Sequence, residues 1–249
     1  MPFRPGETLE YAAQWNKFVT AATIKVTVVG RGAFYGRNAW HFQAGARTLD
    51  LVRLLYVLDD QFDSYTDAVS LSSLQYEAYI REQSKRQDLI VPMVSASPPA
   101  KIAKGGGKGS SKSGSKSAPN DIPKDGETQA SRGDTHMYMV LPGTRDPLGL
   151  LYSLRVQDWQ REPSVRYPVF DGRRYYDVAA QKESAGDEIQ VAAGKFHVTR
   201  VALRVFEGGH EMPNVKFWVS LAQDAAHTPV LIEAEMPFGT VRVELTSMK

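Results

Sequence analysis

The chain has 249 residues, and its 30 Lys and Arg against 28 Asp and Glu leave a net charge of +2. That balance argues against a dedicated nucleic-acid binder, which gathers a basic excess on one face. The absence of cysteine excludes disulfides, thiolate zinc sites and cysteine nucleophiles, and no run of 18 apolar residues is present to form a transmembrane helix.

The first half of the chain reads as strands. Leu9, Tyr11, Ala13 and Trp15 share one parity against Glu10, Gln14 and Asn16. Ala22, Ile24, Val26 and Val28 alternate with Thr23, Lys25 and Thr27, and Trp40, Phe42, Ala44 and Ala46 with His41, Gln43 and Arg47. A period of two means strands with one buried and one wetter face. Leu51, Leu54, Leu55 and Leu58 follow i, i+3, i+4, i+7 spacing and predict a short helix capped by Asp50. Strands are expected next at about 60–68, 74–83 and 86–94.

Residues 95–134 interrupt this pattern. They hold 8 Ser, 7 Gly, 6 Lys and 4 Pro, with no aromatic residue. Such a stretch cannot bury enough apolar surface to offset its chain entropy and is expected to be disordered. Its net charge of +3 leaves −1 for the rest of the chain, so the basicity sits here. A tolerated loop insertion is the simpler reading, and a basic tether for an anionic surface the sharper one. Gly105, Gly106, Gly107, Lys108 and Gly109 lack the spacing of a phosphate loop, and no strand leads into them.

Beyond the break, Asp146-Pro147 predicts a helix start: the carboxylate accepts from open backbone N–H groups, and Pro fits the first helical position. Leu148, Leu151, Tyr152 and Arg155 fall on one face of it. Strands follow at 165–171, 173–182, 187–192, 195–206, 214–221, 229–236 and 240–247. Asp171-Gly172 is a strong turn signal and Ala193-Gly194 a weaker one. The expected architecture is mainly β: a single curled antiparallel sheet, a half-barrel of about 11–12 strands, with one or two short helices on its concave side. Residues 1–94 and 135–249 are expected to form one domain interrupted by the insertion.

Catalytic motifs are missing. His41, His136, His197, His210 and His227 form no H-E-x-x-H, and neither G-x-S-x-G nor a strand-to-helix G-x-G-x-x-G occurs. Asp59, Asp60, Asp63 and Asp67 cluster without a calcium loop and read as a solvated acidic face. No metal, cofactor or catalytic group is expected. The remaining lead is aromatic. The tryptophans read first as core, and otherwise as the lining of a cavity that one short helix does not fill.

Several segments resemble the domain of unknown function 3108 family. They are Pro2-Phe3-Arg4-Pro5-Gly6-Glu7 before Leu9-Glu10-Tyr11, Asp146-Pro147-Leu148 leading into Leu151-Tyr152-Ser153-Leu154-Arg155, Pro168-Val169-Phe170-Asp171-Gly172, Ala193-Gly194-Lys195-Phe196, Trp218-Val219-Ser220 and Pro237-Phe238-Gly239-Thr240. They run in family order along nearly all of the chain except 95–134. Leu221-Ala222-Gln223-Asp224 stands where family members often have an acidic pair. The resemblance implies an exported bacterial protein, periplasmic or at the outer envelope, with a half-barrel similar to lipoprotein-localisation carriers and receptors. Met1 stands directly before the family's mature-like opening, so a removed export signal is expected. The expected activity is non-enzymatic binding of a lipid, acyl chain or lipidated partner by a monomer, with Trp15, Trp40, Leu151, Tyr152, Arg155 and Trp218 at the cavity or its lid. Arg155 is expected to pair with Asp146, or else to meet an anionic headgroup. The alternatives are an envelope interaction module with a filled core and a flexible basic loop, and, more weakly, an envelope hydrolase.

Overall fold

The computed structural model describes residues 1–15, 19–54, 56–95, 138–237 and 239–249. The stretch expected to be disordered therefore lies outside the described residues, Ser95 excepted. The strands are β1 (Thr8–Trp15), β2 (Val19–Phe34), β3 (Arg37–Thr48), β4 (Asp59–Asp67), β5 (Ser73–Glu82), β6 (Lys85–Ser95), β7 (Tyr138–Val140), β8 (Ser164–Phe170), β9 (Tyr175–Val191), β10 (Gly194–Glu207), β11 (His210–Ala222), β12 (Pro229–Met236) and β13 (Gly239–Met248). Two helices join them, α1 (Asp50–Arg53) and α2 (Pro147–Val156).

All thirteen strands line up in one sheet, in the order β7-β6-β5-β4-β3-β2-β1-β13-β12-β11-β10-β9-β8. Every pairing is antiparallel except the short parallel one of β7 on β6. This is the expected architecture, since short connections make neighbours in sequence neighbours in the sheet. The first and last strands, β1 and β13, meet at its centre.

The sheet curls until its two ends touch. Arg145, shortly after β7, donates its backbone N–H to Pro168 O and accepts from the Phe170 N–H on β8, both at 2.8 Å. The Tyr175 hydroxyl donates to Met139 O at 3.0 Å. Gly172 turns the β8–β9 connection at φ +94° against β6; a Cβ there would stand 2.5 Å from Leu89 Cδ2. Tyr76, Val91, Met93, Val140 and Phe170 bury their side chains across the same seam.

Three local expectations are corrected. The leucine stripe at 51–58 yields one turn, α1, with Leu49 rather than Asp50 at the N-cap, and Leu54 is 82% exposed. Leu55 lies outside the described residues. The strands expected at 173–182 and 187–192 are one long strand, β9, because Gly186 takes a bulge at φ +89° while pairing resumes on both sides. The acidic cluster of β4 is paired rather than solvated: Asp60, Asp63 and Asp67 are buried, and Asp59 and Asp67 bridge to Arg53 and Arg37.

Helix α2 lies on the concave side. Asp146 caps it, accepting from the Gly149 N–H at 2.8 Å with Pro147 at the first helical position. The same carboxylate accepts from the hydroxyls of Ser64 on β4 and Ser73 on β5, at 2.6 and 2.5 Å. Gly149 permits this close approach: a Cβ would lie 3.1 Å from Ser73 Oγ and 3.2 Å from Thr66 Cγ2. Leu148 and Tyr152 then enter one core cluster and Leu154 a second. Asp146→Ala strips three buried donors of their acceptor, so a loss of about 3 kcal/mol is expected in urea unfolding, with Asp146→Asn intermediate. A loss below about 0.5 kcal/mol would show that the cap does not hold the helix on the sheet.

Candidate functional site

The concave face between α2 and β1–β4 holds an aromatic node. Phe42, on the buried parity of β3, stacks on Tyr152 at 3.6 Å between ring centres. Phe3 comes from the N-terminal segment, outside the strands, and meets Trp40, Phe42 and Tyr152 edge-on at 5.1, 5.4 and 4.9 Å. Such contacts add to ordinary burial because the positive edge of one ring meets the negative face of another.

A buried ion pair closes the node. Arg155, 1% exposed, forms a two-pronged pair with Glu7, with Nη2 at 3.0 Å from Oε2, and donates twice to Ala226 O at 2.9 and 3.2 Å. Its guanidinium lies 5.4 Å from the Phe3 ring centre and 5.2 Å from that of Tyr152. The Arg155 carbonyl accepts from His227 Nδ1 at 2.7 Å, which places a proton on that nitrogen. Tyr11 donates to Pro229 O at 2.9 Å. Burial pushes the Tyr11 and Tyr152 phenols well above their ordinary range, with the Arg155 charge opposing it. Trp40 Nε1 is buried with no hydrogen-bond partner among the described residues, and the Tyr152 hydroxyl faces the Arg155 guanidinium.

The structure thus brings Trp40, Tyr152 and Arg155 together and places the other expected residues elsewhere. Leu151 packs against the second core cluster. Trp15 stands at the end of β1, 41% exposed. Trp218 alternates with Phe217 and Val219 and lies on the convex face, with the Arg200 guanidinium 5.3 Å from its ring. The partner expected for Arg155 is corrected: Asp146 is occupied by Ser64, Ser73 and the helix N-terminus, and Glu7 takes its place. Sequence reasoning missed Phe3 and Glu7 as site residues. The available signal was an aromatic and an acid flanking Pro5-Gly6, outside any alternation.

On the convex face, Asp63 gathers three donors. His41 Nε2 lies 2.7 Å away, and the amides of Gln43 and Gln61 donate at 2.9 and 2.7 Å. His41 stacks on Tyr65 at 4.4 Å, and Tyr65 on Phe34 at 4.1 Å. The hydroxyl next in sequence, that of Ser64, bonds Asp146 on the other face. Among the described residues no group of three His, Asp or Glu is arranged to hold a metal ion. Burial would raise the Asp63 pKa, but the three hydrogen bonds outweigh it and hold the carboxyl below its usual value.

Fold and node together define a barrel-like β-protein whose concave side carries one helix and a node of four aromatic rings. The chain belongs to the DUF3108 family, described as a protein of unknown function, whose model matches residues 10–92 and 104–246. Phe3 and Glu7 stand just ahead of the matched residues. No curated protein matches the sequence. Among solved structures it is similar to a β-barrel-like protein of domain of unknown function DUF1849 from Brucella abortus, with a TM-score of 0.55 and 11% identity over 99% of this chain and 98% of that one. It is more distantly similar to a candidate exported protein with a YmcC-like fold from Bacteroides fragilis, with a TM-score of 0.39 and 8% identity over 100% and 98%. A candidate lipoprotein from Parabacteroides distasonis gives 0.39 and 9% over the same shares. The family description names no enzyme activity.

Removing one member of the ion pair leaves the other charge buried and uncompensated. Glu7→Ala is expected to cost about 3 kcal/mol, and Glu7→Ala with Arg155→Met less than the sum of the two single changes. A double-mutant cycle in urea measures the coupling; additive losses would mean that the pair contributes nothing as a pair. Asp63 gives a pH signature. A carboxyl whose folded pKa lies below its unfolded value, about 3.9, stabilises the fold above that value and loses this effect as pH falls through the folded pKa. Thermal midpoints measured from pH 5 to pH 2 should therefore fall less for Asp63→Asn than for the wild type.

Proposed function

We propose that this protein is a non-enzymatic binding protein of the bacterial cell envelope that takes an acyl chain or a lipidated partner onto its concave side, with Phe3 as a displaceable plug. The observation that carries this reading is the origin of Phe3. The ring at the centre of the node belongs to no strand or helix. It is delivered by a short segment that ends at Gly6, in a left-handed turn at φ +85° with its N–H on Val28 O at 2.8 Å. A segment outside the hydrogen-bond ladder of the sheet leaves at lower cost than a strand.

Two further features support it. Trp40 Nε1 is a polar atom buried in the node without a partner among the described residues, which a ligand carbonyl or hydroxyl would satisfy. A groove of about 640 Å³ adjoins the node, lined by Met1, Phe3, Arg4, Glu7, Ala226 and Met248 among others, so a displaced plug would open onto an existing mouth. Placement in the periplasm or at the outer envelope rests on the motifs shared with exported members of the family.

The test uses an uncharged ligand. A brominated monoacylglycerol should quench the tryptophan fluorescence of the wild-type protein saturably, and Trp40→Phe should remove most of that quenching. Phe3→Ala should tighten binding about tenfold by removing the competing ring, whatever it costs in stability. If the wild type binds nothing and Phe3→Ala only loses the roughly 3 kcal/mol expected of a core cavity, the plug is permanent core. An interaction module with a filled interior would then be the better reading.

A further inference from the structure

Arg145 is the second buried arginine, and its surroundings differ from those of Arg155. It is 9% exposed, on the side of α2 that carries Ser153 rather than the face that carries Tyr152 and Arg155. Nε donates to Ser153 Oγ at 2.8 Å, Nη2 to Ser70 O at 2.7 Å, and Nη1 to Gly143 O. The guanidinium lies 5.2 Å from the ring centre of Tyr167. Every one of these groups is neutral. No carboxylate forms a salt bridge with Arg145 among the described residues, and the adjacent Asp146 is taken by two hydroxyls and the helix N-terminus. Of the five N–H donors of a guanidinium, these bonds use three. Burial pulls the Arg145 pKa down from its ordinary value, with the Tyr167 phenol and the Asp146 carboxyl opposing it.

Arg145 also lines a pocket of about 410 Å³ between the β4–β5 loop, the end of α2 and β8. Two acids lie on its wall and are already engaged: Asp158 with Arg161 at 3.6 Å and Glu162 with the Gln157 amide at 3.3 Å. At the mouth stand two apolar side chains that the fold leaves in water, Val69 at 86% and Val156 at 40% exposure.

We propose that this pocket is an anion-binding site in which a carboxylate or phosphate group completes the charge of Arg145, with Val69 and Val156 placed to receive an apolar tail when the anion is the head of an amphiphile. A planar guanidinium with two free N–H groups suits a two-oxygen anion, and the low dielectric around it strengthens the contact. The apolar flank favours an amphiphile over a free ion. This site does not include Phe3, Trp40 or Glu7, so it stands or falls separately from the interior proposed above.

Isothermal titration of the full chain with inorganic phosphate, with dodecyl phosphate below its micellar concentration, and with dodecanol separates the sources. Dodecyl phosphate binding at least tenfold tighter than phosphate identifies an amphiphile; equal affinities identify a free anion; either supports the site. Val69→Glu places a carboxylate at the mouth on an exposed position that tolerates it, and should weaken anion binding at least tenfold, while Val69→Lys should tighten it. Arg145→Gln should abolish the binding of inorganic phosphate, which carries no apolar chain that could enter the interior. Heat from neither anion in the wild type would overturn the proposal. So would a dodecyl phosphate affinity that Arg145→Gln leaves unchanged, or phosphate affinities that Val69→Glu does not change.

Discussion

Three consecutive residues hold this molecule in its shape. Thr144 accepts from the Ser73 N–H at 2.9 Å and so joins β5. Arg145 exchanges two backbone hydrogen bonds with β8 at the far end of the sheet. Asp146 binds β4, β5 and the first turn of α2 at once. A twisted sheet this wide curls by itself, but nothing in its twist says where the ends should meet. Here one extended tripeptide crosses the gap and starts the helix that fills the space enclosed. Closure of the sheet and docking of the helix are therefore one event, and the backbone groups that an open edge would expose are satisfied in the same step.

That closure dictates the interior. Once α2 is pinned by its N-terminus, Tyr152 must stack on Phe42, and Arg155, less than a turn later, arrives beneath the N-terminal segment. A buried guanidinium demands a carboxylate and further acceptors, and Glu7 with the Ala226 carbonyl supplies them. Glu7 is placed by the turn at Gly6, and that turn also delivers Phe3. Ion pair and plug thus share one short piece of chain. Phe3 and the Glu7–Arg155 pair are therefore held in place by the same turn.

The alternation of apolar residues made the strands legible, and short connections made their order legible with them. Asp146-Pro147 announced α2 because capping is local chemistry. What the sequence concealed depends on distant partners. Gly186 sits inside a strand and reads as a break, since a bulge differs from a turn only in whether pairing resumes. The aspartates of β4 read as solvated because most of the groups that bind them, His41, Gln43, Arg37 and the Arg81 N–H among them, come from other elements. Tyr152, Trp40 and Arg155 were legible as a group from parity and helical spacing. Trp218, expected at the cavity, sits on the opposite parity from Phe217 and Val219 and so on the outer face. Phe3 was least legible, because a residue outside every periodic element carries no sign of what it will touch.

The contrast between the two buried arginines separates structure from function more sharply than burial alone. Both are shielded from water, and both pack against aromatic rings. Arg155 meets a carboxylate with both prongs and two carbonyl contacts, so its charge is answered within the chain and its presence needs no other explanation. Arg145 meets only neutral oxygens, although Asp146 is its neighbour in sequence and the turn might have paired them. Instead that carboxylate is turned to the serines of β4 and β5, where it holds the helix. A fold that needed only hydrogen bonds at this position would be served as well by a neutral side chain, without the desolvation that a guanidinium entails. Arg145 keeps two N–H groups that the bonds of the fold do not use, beside a pocket with an apolar lip, and this is where the proposed anion would bind.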